Sequence, residues 1–357
     1  MTRMASMENV DLGSLEALSG KVVGDVASAL GLLMAYLGDR AGVFDALADA
    51  GRVSVDQLAS RTGLHPKYLR EWLGSVCAAG YVTFHPDDES FSLSPEQELV
   101  MGREGNPACM QGFVEVVISQ MGSYESAVQT FMSGEGRPWS DHLPCCFCGT
   151  ERFFRNGYRM HLVESWLPKL TGVEDRLKSG AKVADIGCGH GASTLLMAQA
   201  FPNSQFFGFD FHVPSIDKAR THAREGGLTN VQFEVAGATD YPGNDYDLAC
   251  MFDALHDMGD PEGAARHLKQ SLAENGVFML VEPLAGDSMQ ENLHPLGQIY
   301  YAASTTICTP ASLAQDVGLG LGAQAGQARL TQLLMAAGFQ DVVRVAETQT
   351  NMVLQAT

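Results

Sequence analysis

The run Val183-Ala184-Asp185-Ile186-Gly187-Cys188-Gly189-His190-Gly191 restricts the possible folds more than any other part of the chain. It reads as a short buried strand that ends on an acid and enters a glycine-rich turn. The following Ala192-Ser193-Thr194-Leu195-Leu196-Met197-Ala198 reads as a helix. Glycines let a bound ligand approach the backbone closely. Strand, glycine turn and helix in this order open a dinucleotide-binding unit, and Gly187, Gly189 and Ala192 satisfy its loose G-x-G-x-x-G/A pattern. Asp185 argues against a pyrophosphate, because a carboxylate just ahead of the loop repels phosphate and attracts a cation.

A chain of 357 residues is long enough for two domains, and 45% hydrophobic with 18% charged residues is a globular composition. The net charge of -19 opposes nonspecific binding to nucleic acid or anionic lipid, which needs clustered Lys and Arg. The polar Met1–Ser6 start lacks the apolar core of a signal peptide. The best candidate for a membrane span, Val22 to Leu37, contains Asp25 and is short against the roughly 20 residues a bilayer needs. Eight cysteines, scattered or adjacent, suit a reducing compartment better than a disulfide framework. The expectation is a soluble cytoplasmic protein without membrane or nucleic-acid partners.

Residues 20 to 80 read as helices. Val53 to Leu64 followed by His65 to Leu73 has a helix-turn-helix pattern, with Asp56 near the first start, Gly63 at its end and Pro66 in the next first turn. Tyr81 to Phe84 and Ser90 to Leu93 alternate around a polar turn and predict a hairpin, hence a wing. A winged helix allows two readings, a DNA-reading regulator or a dimerisation domain. Charge favours the second: His65 to Gly80 carries Lys67 and Arg70 but also Glu71 and the apolar run Val76-Cys77-Ala78-Ala79. Residues 106–175 read as a helical connector. From 176 onward, seven strands are expected: Lys182 to Ile186, Gln205 to Asp210, Val231 to Val235, Asp247 to Phe252, Val277 to Val281, Asp341 to Val345 and Asn351 to Gln355. The long insert 284–327 predicts a helical cap. The domain plan is therefore 1–105, 106–175 and 176–357.

The glycine string resembles the first motif of class I S-adenosylmethionine-dependent methyltransferases. The resemblance implies a doubly wound, Rossmann-like, seven-stranded sheet that holds S-adenosylmethionine across the strand tips. An acid beside the turn suits the sulfonium and ammonium of that molecule. The cofactor-site residues would be Asp185, Gly187, Cys188, Gly189 and Gly191 on the first loop; Asp210, toward the ribose hydroxyls, with Phe211, toward the adenine; Ala238 and Thr239 after strand three; and Phe252 and Asp253 after strand four. Many family members carry an acid where this chain has Ala238.

Asp253-Ala254-Leu255-His256-Asp257-Met258 resembles the His-Asp-Trp motif of small-molecule O-methyltransferases of the plant caffeate type, with Met258 in place of Trp. That resemblance implies His256 as general base and Glu282, at the end of strand five, as the acid orienting it, with Asp257 as an alternative orienter. It also implies a homodimer through the N-terminal domain and a small-molecule acceptor. Methyl transfer needs alignment and removal of the acceptor proton, and imidazole, with a pKa near about 6.5, can take that proton. Tyr158, Trp166, Asn292, Tyr300 and Tyr301 are the candidate acceptor contacts. Cys145, Cys146 and Cys148 read as incidental on a loop, since three crowded thiols do not supply the four ligands of a structural zinc site. No metal site is read from the sequence. His190 and His212 read as local structure. A hydroxyl acceptor is expected; an S- or N-methyltransferase without base catalysis, and a winged-helix regulator binding S-adenosylmethionine, are the alternatives.

Overall fold

A computed structural model describes residues 10–357, and the chain divides into two compact units, Met1–Ile118 and Ser119–Thr357. Of the expected connector, 106–118 belongs with the first unit and the remainder with the second. The Met1–Ser6 start lies outside the described residues.

The first unit contains α1 (Leu12–Arg40), α2 (Val43–Leu47), α3 (Val55–Thr62), α4 (Pro66–Ala78), the antiparallel hairpin β1 (Thr83–His85) and β2 (Ser90–Ser92), and α5 (Pro95–Met101). The boundary to the second unit falls within α6 (Gln111–Gly122). A capping box starts α3: Ser54 Oγ accepts from the Gln57 amide at 3.3 Å, and Gln57 Oε1 accepts from the Ser54 amide at 2.8 Å. Ser54, rather than Asp56, is therefore the cap. Gly63 in the left-handed region ends α3, and Pro66 opens α4. Phe44, Leu58, Leu69, Trp72, Leu73 and Val76 form the centre of this unit's core.

α1 differs from its neighbours. It buries only Gly31, Ala35 and Gly38, while Leu12, Leu15, Leu18, Val22, Val23, Val26, Leu30 and Leu37 are exposed. At 100° per residue these eight fall on one stripe of the helix. The sequence expectation of no candidate span is corrected here. Among the described residues one helix, α1, is long and apolar enough to cross a bilayer by length and composition, because it begins ten residues before Val22.

The second unit continues through α7 (Tyr124–Ser133), α8 (Pro144–His161) and α9 (Val173–Ser179) into the sheet domain. Cys145, Cys146 and Cys148 lie in the first turns of α8 rather than on a loop, because Pro144 fits the first helical position. In chain order the sheet domain runs β3 (Lys182–Ile186), α10 (Ala192–Ala200), β4 (Gln205–Asp210), α11 (Val213–Glu225), β5 (Val231–Val235), β6 (Tyr246–Phe252), α12 (Pro261–Ser271) and β7 (Leu272–Pro283). The cap follows, with α13 (Pro295–Ala303), a π-helical turn Ser304–Cys308 and α14 (Thr309–Leu313); then come α15 (Gly326–Ala336), β8 (Val342–Glu347) and β9 (Asn351–Ala356).

The spatial order is β5-β4-β3-β6-β7-β9-β8, with the last two pairings antiparallel. Strand order reverses between β3 and β6, so ligands are expected at the carboxyl tips of these two strands. One face of the sheet packs α12 and α15 through Leu268, Leu330 and Leu334; the other packs α9 and α10 through Leu177 and Met197. β7 is longer than read from sequence, starting at Leu272, and it carries Glu282 to the same end of the sheet as the tip of β6.

Candidate active site

β3 passes into α10 through Gly187, Gly189 and Gly191, at φ of +73°, +53° and +81°. The amides of Gly187 and Cys188 donate to the Phe209 carbonyl at 2.8 and 3.1 Å, tying the loop to β4. The three glycines differ in what surrounds them. A Cβ at Gly187 would lie 2.8 Å from the Ala254 Cβ, and one at Gly191 would lie 2.6 Å from Phe233 Cζ, whereas nothing lies within 4 Å of a Cβ at Gly189. Packing needs the outer two; the middle one leaves open backbone. Cys188 packs with Ile216 and Phe233, and burial pushes its thiol well above the usual range.

Three carboxyl groups gather at the strand tips. Asp185 is fully buried; its Oδ2 accepts from Ser193 Oγ at 2.7 Å and Thr194 Oγ1 at 2.6 Å, while Oδ1 has no partner. Burial pushes its pKa up to about 6 against the two hydroxyl bonds. Asp210 accepts from the Gly189 amide at 2.9 Å and the His212 amide at 2.8 Å, so it also shapes the loop; burial raises its pKa too. Asp253, just beyond β6, sits at φ +50° and accepts from Asn351 Nδ2 at 2.7 Å and Tyr158 Oη at 3.2 Å. Burial pushes it up to about 8, with the charge of Glu282 adding to the shift. Phe211 is 53% exposed, Ala238 is half-buried and Thr239 exposed in the turn after β5, and Phe252 is buried beneath Tyr158. An orphaned buried carboxylate oxygen, open backbone at Gly189 and two more carboxyl groups nearby fit a cationic ligand.

His256 lies in a 3-10 turn, Leu255–Asp257, and is 5% exposed. Its Nδ1 is 2.6 Å from Glu282 Oε2, and Glu282 Oε1 accepts from the Leu255 amide at 3.0 Å. The two bonds fix both carboxylate and ring. On the other side, Nε2 is 3.3 Å from Asp257 Oδ1. Burial alone would lower the imidazole pKa, but the charges of Glu282 and then Asp257 overcome it and hold it well above the usual value. Asp257 is not the cap of α12; Asp260 is, accepting from the Gly263 amide at 2.8 Å.

Residues 177–338 match a family model described as a methyltransferase domain, and 28–103 match one described as an Rv2258c-like winged HTH domain. The chain carries a methyltransferase domain behind an N-terminal winged HTH domain. Among curated relatives, (S)-coclaurine N-methyltransferase of Thalictrum flavum subsp. glaucum is 27% identical over 124 residues, which is 34% of this chain and 34% of that enzyme. The chain thus spans about a third of that relative's length. Human N-acetylserotonin methyltransferase superposes with a TM-score of 0.71 at 15% identity, covering 99% of each chain. A mitomycin 7-O-methyltransferase gives 0.71 at 15%, covering 97% of this chain and 99% of that one. These likenesses place the fold.

The methyltransferase unit gathers some of the expected acceptor contacts at the site and not others. Tyr158 reaches it, donating to Asp253. Trp166 is 2% exposed in the core beneath, edge-on to Tyr158, with almost no surface left for an acceptor. Asn292 is 3% exposed and holds both the amide and the carbonyl of Gly286, a local turn. Tyr300 donates to the Thr350 carbonyl, and Tyr301 is half-buried on the same helix. His212 Nδ1 pairs with Ser215 Oγ at 2.7 Å, and the His190 carbonyl meets His222 Nδ1 at 3.3 Å, both local contacts. Sequence reasoning missed Ser193 and Thr194, which hold Asp185, and Asn351, which holds Asp253. The first two were findable, as hydroxyls in the first turn after the loop face back along the strand. Asn351 was not, since only the placement of β9 beside β7 brings it there. Cys308, whose thiol lies within 4.8 Å of a His256 ring nitrogen and an Asp257 carboxylate oxygen, was missed because only the folding of the cap brings it there.

Proposed function

We propose that this methyltransferase transfers the methyl group of S-adenosylmethionine to the hydroxyl of a small organic acceptor, with His256 as general base. The observation that carries the reading is the 2.6 Å pairing of His256 Nδ1 with Glu282 at the strand tips. S-adenosylmethionine, when bound, supplies an electrophilic methyl on a sulfonium that needs no further activation. Asp185, Asp210 and Asp253 would hold it, with Gly189 as the open backbone beneath. Glu282 accepts the Nδ1 proton and so directs the electron pair of Nε2 away from itself. When His256 takes the acceptor proton, the positive ring lies between Glu282 and Asp257, which stabilise that state. The low exposure of His256 keeps bulk water from competing for the methyl group. The printed names of the solved neighbours, human N-acetylserotonin methyltransferase and mitomycin 7-O-methyltransferase, support a small-molecule acceptor and, through the second, an oxygen.

The exposed stripe on α1 supports a homodimer built through the first unit: a net charge of -19 disfavours an anionic membrane, so a second copy is the better cover. A labelled-methyl screen against phenols, hydroxy acids, thiols and amines tests the activity, with hydroxyl acceptors expected to be methylated. His256→Ala is expected to lower turnover by ~10² or more while cofactor affinity by calorimetry stays near normal. Asp210→Ala should abolish that binding. Undiminished turnover in His256→Ala would return the histidine to a structural role.

A further inference from the structure

Three donor atoms converge beside the imidazole: His256 Nε2, a carboxylate oxygen of Asp257 and Cys308 Sγ, all within 4.8 Å of one another. They come from two segments, the 3-10 turn Leu255–Asp257 and the π-helical turn Ser304–Cys308 of the cap, and His256 and Cys308 are buried. Two further observations point to a cation. First, Asp257 Oδ1 is a buried oxygen without a hydrogen-bond partner, and it faces Nε2 at 3.3 Å. The two atoms stand this close without a hydrogen bond between them, which leaves the oxygen available to a cation. Second, Glu282 on Nδ1, itself held by the Leu255 amide, is the outer carboxylate that metal-ligating histidines commonly have.

We propose that His256, Asp257 and Cys308 form a site for a divalent ion of the zinc class, open at its fourth position. Nitrogen, oxygen and sulfur donors suit zinc, whereas Mg²⁺ and Ca²⁺ prefer oxygen alone. On binding, the Cys308 S–H bond breaks, the proton goes to solvent and a sulfur–metal bond forms. The ion uses the Nε2 electron pair, so a loaded site cannot also accept a proton there. Resting on the reading of His256 as base, the metal and proton transfer exclude each other, and the ion inhibits.

The test is titration of the chelator-treated full-length protein with Co²⁺, following the thiolate-to-cobalt charge-transfer band in the near ultraviolet. One equivalent is expected to produce the band and Zn²⁺ to remove it. Cys308→Ser should lose the band, and Asp257→Asn and Glu282→Gln should each weaken Zn²⁺ at least ~10-fold in competition with a chromophoric chelator. No band in the native protein at excess Co²⁺, or an undiminished band in Cys308→Ser, overturns the site. With an acceptor in hand, Zn²⁺ should inhibit the native protein, and whatever turnover Cys308→Ser has in chelator should resist Zn²⁺; equal fractional inhibition of both proteins would overturn the exclusion while the spectra still decide the binding.

Discussion

Asp253 combines a left-handed backbone, a carboxyl held by Tyr158 and Asn351, and a pKa pushed up to about 8 by burial. Its proton affinity has a consequence for stability. In the unfolded chain the group releases its proton near about 3.9, so between there and about 8 the folded state binds the extra proton. Stability from this group is complete below the lower value and is lost as pH rises through the upper one, by at most roughly 1.4 kcal/mol per pH unit. Asp185, at about 6, slopes the same way over a narrower window. The cofactor-free protein is therefore expected to have a lower urea midpoint at pH 8 than at pH 5.5. Asp253→Asn, uncharged throughout, should flatten the difference. A midpoint rising with pH in the native chain would show that Asp253 is ionised in the folded state. A cationic ligand acts in the opposite direction, since it favours the carboxylate.

The glycine loop was legible as an element because its meaning lies in consecutive residues: an acid, three glycines at alternate positions, then a helix. The strand positions were legible for a similar reason, since short apolar runs bounded by glycine or polar residues mark both β4 and β5 at their observed limits. Elements whose partners lie far along the chain were not. The early start of β7 at Leu272 follows from pairing with Tyr246 across a register shift, and the helical setting of Cys145 to Cys148 follows from a proline start that a cysteine-rich string masks. Within the loop, the structure separates roles that the motif alone treats alike. Gly191→Ala would meet the Phe233 ring, adding overpacking of typically 1–3 kcal/mol to the cost of a positive φ. Gly189→Ala carries only the conformational cost, roughly 1–2 kcal/mol, because nothing lies near the new methyl. Denaturant unfolding and calorimetry should therefore diverge. Gly189→Ala should fold but bind S-adenosylmethionine at least ~10-fold more weakly, while Gly191→Ala should lose mainly stability. Wild-type affinity in Gly189→Ala would place the ligand elsewhere.

For the whole molecule, the first question is what covers α1. At 1.5 Å per residue its 29 residues extend about 44 Å, and its eight exposed leucines and valines form one continuous stripe. Fully burying each such side chain is worth about 1.5–3 kcal/mol, so cover of the stripe by a second α1 would favour association. The sequence at this level was read through the helix-turn-helix pattern and the absence of basic clustering, which argue for association rather than DNA reading, but the stripe itself was hidden inside a run of apolar residues that could equally have been core. Only the burial separates these, since a core helix would have its leucines covered by its own chain. The native protein is accordingly expected to have twice the chain mass by light scattering. Val26→Glu with Leu30→Glu should give the single-chain mass with unchanged helical circular dichroism, because two carboxylates in the middle of an apolar seam would be desolvated without partners. A native protein of single-chain mass, or a double variant that stays at twice that mass, would remove the stripe as the subunit contact.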